Sequence, residues 1–448
     1  MPSVSSLVSQ LIKITAILTL LVSICYIGYV PSQSDFIHIL IPYGFAFGAY
    51  WLLLKRLKHV MTIMILAISL RTVLVFAFPN LSDDIYRFAW DGNLSHQGIN
   101  PYIHLPSDLI NQELTSDADQ LIFAKMNSKA YYTVYPPVSQ LVFIASTILQ
   151  NSDMAMVSII MKTILLLGET ISLFIILALL RQSAFGIHKL SIYALNPLVI
   201  IEVMGNVHYE GLMVMFFLLG WLFLSRGKIL SAAIPLALSV ATKLFPLMLF
   251  PFVISYIGLK RAMVLFAGVG VLLLMMFYPI IKHLEFFLQS VDLYFQKFEF
   301  NASVYYMMRW LGFQVSGYNQ IAVIGPFLAM TTFGSIMCLW YKYTQGPKEN
   351  IATYWLFSFT IYLVLATTVH PWYLIFPIAL CTFTRFSYPV IWSGLICLSY
   401  ISYAYDPFHE NLWIIAFEYM VLFMILFVQL LDMQQDDTLD SPSPNVIT

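Results

Sequence analysis

The sequence has few charged residues and few cysteines. Only 10% of its 448 residues are Asp, Glu, Lys or Arg, whereas 60% are hydrophobic. Soluble domains carry about a quarter charged residues, so these proportions exclude a soluble globular protein and indicate a membrane protein. The formal net charge of −1 leaves no basic excess, and we therefore expect no nucleic acid partner. The cysteines lie far apart in apolar runs, which argues against a disulfide framework or a zinc site.

Apolar stretches of about 20 residues, the length that a helix needs to cross the hydrocarbon core, follow one another along the chain. They predict an all-α polytopic membrane protein with about 12–14 transmembrane helices in a single domain, residues 1–431. The first span has no cleavage pattern and is interpreted as uncleaved. Residues 432–448 are polar and acidic and predict a disordered cytoplasmic tail. We place the spans near residues 9–29, 36–54, 60–78, 155–180, 189–205, 207–224, 229–243, 245–258, 261–281, 320–341, 351–368, 371–384, 386–404 and 411–431.

Basic residues in short loops indicate the orientation in the cell membrane. Lys55, Arg56 and Lys58 place the loop after the second span in the cytoplasm. The later loops that contain basic residues lie in the cytoplasm only if the segment 135–150 does not cross the membrane. We therefore predict a re-entrant or interfacial helix there. Two long segments, 79–134 and 282–319, are then expected on the extracytoplasmic face, and long loops are usually functional.

The first long segment concentrates acidic residues close to a membrane exit. Asp83 and Asp84 are followed by Asp91. Apolar residues at helical spacing predict a short helix that lies on the membrane, with the acids at its start. Ser82 or Asp83 would cap this helix, so the acidic pair has a purely structural interpretation beside a functional one.

The surrounding motifs resemble a known family. Ser82-Asp83-Asp84-Ile85-Tyr86-Arg87, Trp90-Asp91-Gly92, Gly98-Ile99-Asn100-Pro101-Tyr102 and Tyr135-Pro136-Pro137 are similar to the first outer loop of the GT-C integral membrane glycosyltransferases, most closely the bacterial mannosyltransferase branch. The further similarities, in family order, are Asn196-Pro197, Gly205-Asn206-Val207-His208-Tyr209-Glu210, Thr242-Lys243-Leu244-Phe245-Pro246 and His370-Pro371-Trp372-Tyr373.

This resemblance implies the transfer of a hexose, mannose by analogy, from a polyprenyl-phosphate donor to a lipid or glycan acceptor. The transfer would take place on the extracytoplasmic face of the cell membrane and invert the anomeric carbon. An acid of the first outer loop would be the general base. In the family this acid lies two or three positions before the tyrosine, so either Asp84 or Asp83 fits Tyr86.

Lys243 and Arg309 are candidates to bind the donor phosphate, although snorkelling or a surface salt bridge would also explain them. His370 before Pro371 could bind a hydroxyl or satisfy carbonyl groups freed by the proline. The predicted substrate-binding residues are Tyr86, Arg87, Trp90, Asp91, Asn100, Tyr102, Tyr135, His208, Glu210, Lys243, Arg309, His370 and Tyr373.

Three points remain open from the sequence. Asp83, Asp84 and Asp91 could together hold a divalent cation such as Mg²⁺ or Mn²⁺. Arg71, Lys162 and Glu169 lie within predicted spans, where they would form either a buried network or a polar wall of the substrate cavity. A polytopic transporter or lipid flippase is the alternative function, although the two halves of the sequence show no duplication.

Overall fold

The computed structural model describes residues 4–110, 117–149, 153–296 and 298–439. Regular structure in these residues is helical, apart from one isolated parallel bridge between Phe300 and Thr368. The predicted all-α architecture is confirmed.

The helices begin and end at the following residues, in chain order. The N-terminal part and the first long segment contain α1 (Val4–Tyr29), α2 (Phe36–Arg56), α3 (Val60–Thr72), α4 (Asp84–His96), α5 (Pro106–Leu109), α6 (Asp117–Lys125) and α7 (Pro137–Ser146). The middle of the chain contains α8 (Met154–Leu180), α9 (Leu190–Ala194), α10 (Pro197–Ile200), α11 (Glu210–Ser225), α12 (Ile229–Thr242), α13 (Phe250–Ile257), α14 (Leu259–Met276) and α15 (Tyr278–Ile281). The second long segment and the C-terminal part contain α16 (Leu284–Gln296), α17 (Val304–Ser316), α18 (Ile321–Thr344), α19 (Ile351–Leu365), α20 (Ile375–Cys381), α21 (Tyr388–Leu395) and α22 (Leu412–Leu439).

Within the described ranges, six of these helices are long and apolar enough to cross a membrane: α1, α2, α8, α14, α18 and α22. The pair Ile187–Ala194 and Pro197–Gly205 would add a seventh crossing, bent by 54° where Asn196-Pro197 interrupts it. Other apolar helices of 10–17 residues fill the remaining predicted spans. The multi-pass membrane architecture is confirmed, while the total of about 12–14 crossings stays a prediction.

Helix α7 is too short to cross the membrane, as the charge pattern predicts. Its 10 residues rise about 15 Å, half of the hydrocarbon thickness. It packs tightly against α4 at Gly92, where an added Cβ would lie 2.6 Å from the carbonyl oxygen of Phe143. Gly92 therefore serves the close contact between these two helices.

The two long segments contact each other. The amide of Asn100 donates to the carbonyl of Pro279 at 3.3 Å, and the rings of Tyr102 and Phe287 lie 6.5 Å apart. The hydroxyl of Ser290 donates to the carbonyl of Tyr132 at 2.9 Å. Both segments consequently lie at one end of the helical bundle, which we call the segment end.

The intramembrane charges form a buried structural network. The Arg71 guanidinium pairs with Glu169 at 2.9 Å, and the Tyr193 hydroxyl donates to the same carboxylate at 2.7 Å. Lys162 instead donates to the carbonyls of Leu74 and Ala77, just after α3 ends. The charges are thus satisfied within the bundle.

The helix α22 extends into the segment that the sequence predicts as a disordered tail. Helix α22 continues to Leu439 because no proline or glycine interrupts it before the Ser-Pro motifs that follow. Residues 440–448 lie outside the described part of the chain.

Candidate active site

Polar side chains gather at the segment end where several helices stop or start. Asp83 and Asp84 begin α4, His208 lies between the 201–205 turn and α11, Glu210 begins α11, and Lys243 follows the last residue of α12. His370 precedes the 3₁₀ turn Pro371–Leu374. Helix ends leave backbone and side-chain groups free to face a ligand, so the arrangement is typical of a binding site.

The two acids that begin α4 have different surroundings. Asp83 occupies the N-cap position, but its carboxylate makes no capping hydrogen bond; the Ser82 hydroxyl instead accepts from the backbone N–H of Asp84. Asp83 is exposed and faces Lys125, whereas Asp84 is half-buried and accepts a hydrogen bond from Asn127. The purely structural interpretation as helix caps therefore does not describe these carboxylates.

Burial raises the pKa of Asp84 from 3.8 to about 6. The hydrogen bond from Asn127 and the charge of Lys243 lower this pKa, while Asp83 and Glu210 raise it. Burial also raises the pKa of Asp83, and Lys125 counteracts that rise. A carboxylate whose pKa lies just below neutrality is ionised yet basic enough to accept a proton from a hydroxyl.

Lys243 places a cation beside Asp84. Its ammonium forms an ion pair with Glu210 and lies 4.7 Å from the ring centre of Tyr373 and 5.1 Å from that of Phe245. The Lys243 side chain is 27% exposed, whereas that of Glu210 is buried. The ammonium can therefore reach a ligand without leaving its aromatic surroundings.

Two histidines are held rigidly by a stack of aromatic rings. The ring centres of His208 and Trp372 are 3.7 Å apart, those of Trp372 and His370 4.3 Å, and those of His370 and Phe300 4.8 Å. Because an imidazole covers each face of Trp372, this indole offers no face to a sugar. Neither Nε2 of His208 nor Nδ1 of His370 has a hydrogen-bond partner among the described residues, although both atoms are buried.

Glu202 is a functional candidate that the sequence analysis missed. It lies in a π-helical turn, Ile201–Gly205, and its carboxylate accepts hydrogen bonds from Asn206 at 2.9 Å and Tyr400 at 2.8 Å. Nε2 of His208 lies 3.4 Å from the same carboxylate. An acid inside a run of apolar residues was the available signal.

Backbone strain follows directly after this turn. Val207 is buried and has a φ of 65°, a conformation that β-branched residues rarely adopt. Strain of this kind persists where the surrounding structure fixes the chain, often at functional sites. Here it directs the adjacent His208 toward Trp372.

An apolar cavity of about 270 Å³ begins at Tyr373, whose ring lies next to Lys243. Tyr362 and Thr368 also line this cavity, together with Ala329 and Phe333 of α18. Phe333 is 61% exposed on the lipid-facing surface of α18. The cavity therefore connects that surface with the cation, which suits a ligand with an apolar tail and an anionic head.

Arg87, Trp90 and Asp91 do not reach this cluster. The Arg87 guanidinium pairs with Asp91 at 2.8 Å and donates to the carbonyl of Tyr131 at 2.7 Å, while Gln140 donates to Asp91 at 2.8 Å. Trp90 is buried against other side chains. In contrast to the sequence prediction, these residues are placed to hold the first long segment together.

Four further predicted residues connect the long segments or line their core. The hydroxyl of Tyr102 donates to the carbonyl of Tyr135 at 2.7 Å, and the backbone of Tyr102 donates to Asn100. The ring of Tyr86 is buried beneath the ammonium of Lys125, at 5.6 Å. Their positions favour a structural role.

Arg309 forms an ion pair with Glu299 at 2.6 Å and lies over the ring of Tyr306 at 4.3 Å. This is the alternative that the sequence left open for Arg309. The structure therefore brings together Asp84, His208, Glu210, Lys243, His370 and Tyr373 from the predicted set, with Asp83 at the edge of the group.

The acidic residues do not fit the predicted divalent cation. Across the residues that the structure describes, no three His, Cys, Asp or Glu side chains converge in a way that could hold a metal ion. Asp91, the third predicted ligand, already forms an ion pair with Arg87. We therefore derive no chemical step through a metal.

The family model described as alpha-(1->6)-mannopyranosyltransferase, N-terminal domain, of the MptA_B family, matches residues 11–258, which is more than half of the chain. No curated protein matches the sequence. The family match confirms the resemblance inferred from the motifs and sets aside the transporter alternative. It includes Asp83, Asp84, His208, Glu210 and Lys243, whereas His370 and most of the cavity lie beyond it. The chain belongs to this alpha-(1->6)-mannopyranosyltransferase family and is a multi-pass membrane glycosyltransferase that transfers mannose.

Proposed function

We propose that this mannosyltransferase takes mannose from a polyprenyl-phosphate donor and transfers it to a lipid or glycan acceptor, with Asp84 as the general base. The reaction takes place on the extracytoplasmic face of the cell membrane and inverts the anomeric carbon. One observation carries the proposal: an apolar cavity, a cation and a carboxylate follow one another at the segment end, as Tyr373, Lys243 and Asp84.

The donor assignment rests on the chemistry of the apolar cavity and of the Lys243 ammonium beside it. A polyprenyl phosphate has an apolar chain that prefers the lipid-facing cavity and an anionic head that needs a cation at its end. Lys243 supplies that cation after exchanging its contact with Glu210 for the phosphate. A nucleotide-activated sugar has no apolar chain and would leave the cavity unused.

Asp84 is preferred over Asp83 because of its surroundings. Only Asp84 interacts with both Lys243 and Glu210, and burial tunes its pKa toward neutrality. Asp83 is exposed and faces Lys125. A base must contact the acceptor hydroxyl across the sugar from the departing phosphate, and of the two acids only Asp84 neighbours the Lys243 cation proposed for that phosphate.

The proposed step is a single displacement. The acceptor oxygen attacks the anomeric carbon, its proton passes to the Asp84 carboxylate, and the bond from that carbon to the phosphate oxygen breaks. The electron pair leaves with the phosphate, whose charge Lys243 stabilises. One displacement inverts the configuration, and the detection of a covalent glycosyl-enzyme would contradict it.

The test uses the purified full-length protein in lipid nanodiscs, with radiolabelled polyprenyl-phosphate-mannose and an alkyl mannoside acceptor. We expect Asp84→Asn to lower kcat by at least about a hundredfold, the lower end of general base contributions. Asp83→Asn is the matched control, with the same change one position earlier, and should retain most activity. Equal losses, or transfer only from nucleotide-activated mannose, would refute the proposal.

The sidedness is tested separately. A cysteine introduced at Asn80, which is exposed close to Asp84, should react in intact cells with a maleimide that cannot cross membranes. Labelling only after cell lysis would place the site in the cytoplasm and contradict the extracytoplasmic assignment.

A further inference from the structure

A second group of aromatic rings continues the histidine stack of the site, since the ring centre of Phe300 lies 4.8 Å from that of His370. The ring centre of Tyr403 is 5.7 Å from that of Phe300 and 5.5 Å from that of Phe408. The carboxylates of Asp84 and Glu202 act electrostatically on the phenol of Tyr403, so these groups are neighbours. We call Phe300, Tyr403 and Phe408 the aromatic wall.

The local backbone explains why the wall faces the site. Tyr400 and Tyr403 lie on the 3₁₀ segment Ile396–Ala404, in which side chains three residues apart share a face. The Tyr400 hydroxyl donates to Glu202 at 2.8 Å, which directs this face to the site, and Tyr403 lies one turn further along.

The wall is held in place before any ligand binds. The backbone N–H of Asn301, next to Phe300, donates to the Glu410 carboxylate at 2.5 Å. Phe300 also pairs through its backbone with the strand-like residues beside Thr368. Phe408, in the loop that leads to Glu410, remains 51% exposed. Phe300 is buried, so the ring surfaces of the wall that a ligand can reach are those of Tyr403 and Phe408.

We propose that the aromatic wall is the binding site for the sugar ring of the acceptor. This inference rests on the proposed function, in which Asp84 must contact the acceptor hydroxyl. The cavity and Lys243 account for the lipid chain and the phosphate of the donor, and the donor KM in the test below shows whether the wall holds the acceptor sugar or the donor mannose.

A pyranose ring matches the chemistry of this surface. Its C–H groups carry a slight positive charge and pack against the electron-rich faces of aromatic rings. Its hydroxyl groups donate to carboxylates, and the carboxylate placed to accept here is that of Asp84. A purely aliphatic acceptor would pack against the rings but would offer no hydrogen-bond donor to the carboxylate.

The test measures acceptor and donor KM separately for the full-length protein in nanodiscs, with octyl α-mannoside as the acceptor probe. Phe408→Ala and Tyr403→Ala should each raise the acceptor KM about three- to tenfold, which is the loss of affinity expected when one aromatic contact is removed. The donor KM should stay unchanged. Tyr403→Phe keeps the ring and should restore the wild-type acceptor KM. Melting temperatures of the variants verify folding.

Trp413 provides the matched control for membrane anchoring. It is 86% exposed at the start of α22 and does not belong to the wall. Trp413→Ala should leave both the acceptor KM and the donor KM unchanged. Unchanged acceptor KM in both wall variants, or an equal rise in Trp413→Ala, would overturn the proposal.

The two proposals fail in different ways. If the wild type uses nucleotide-activated mannose, the lipid-donor assignment fails, and the acceptor titration can still be run with that donor. If transfer from the lipid donor proceeds but the wall variants leave the acceptor KM unchanged, only the acceptor site is refuted.

Discussion

The ionisation of Asp84 should control the rate at low pH. Its pKa of about 6 arises because burial outweighs the opposing effects of Asn127 and Lys243. A general base works only as the carboxylate, and at pH 5 only about a tenth of it is ionised, whereas at pH 7.5 nearly all is. We expect kcat/KM to fall about tenfold between pH 7.5 and pH 5.

Two substitutions should move this transition in opposite directions. Glu210 raises the pKa of Asp84, so Glu210→Gln should shift the fall in activity to lower pH. Lys243 lowers that pKa, so Lys243→Met should shift the fall to higher pH, besides weakening donor binding. A general loss of folding at low pH would move both variants the same way.

The assay is transfer of radiolabelled mannose in nanodiscs, measured at limiting donor across the pH range, with Asp84→Asn as the baseline. Protein kept at each pH and returned to pH 7.5 shows whether inactivation is reversible. A flat profile for the wild type, or shifts of the same sign in the two variants, would refute the assignment of Asp84 as the base.

Three further results are expected. Gly92→Ala should destabilise the protein by about 1–3 kcal/mol, because the new Cβ meets the backbone of Phe143 at α7, and a melting temperature equal to that of the wild type would contradict this. Glu169→Gln leaves the Arg71 charge without its buried partner and should cost about 3–5 kcal/mol, which denaturation in detergent can measure; an unaltered midpoint would argue against the pair. Treatment with EDTA should leave mannose transfer unchanged, since the described acids offer no convergent set of ligands, whereas a loss that Mg²⁺ or Mn²⁺ restores would show a metal requirement.

Much of the fold was predictable because a membrane imposes strong rules on composition. Apolar stretches located the helices to within a few residues, and α7 was recognised as too short to cross. The end of the last helix was not predicted: α22 continues to Leu439, beyond residue 431. Polarity alone does not show where a helix ends.

The motifs of the sequence name Lys243, His208 and His370, and the structure brings these three side chains close to one another. Arg87, Trp90 and the other motif residues of the first long segment lie close along the chain to Asp84. Their side chains nevertheless point into the core of that segment, which a motif cannot show.

The sequence by itself determined the membrane class, the mannosyltransferase family and the two acids that are candidates for the base. The ordered motifs and the apolar runs are local properties of the chain, so they can be recognised without the tertiary structure. Only the tertiary structure decided that Asp84 rather than Asp83 neighbours Lys243, and that Glu202 and Tyr403 join them from distant helices. The physical reason is that burial and electrostatic contact depend on distances between segments far apart in the chain.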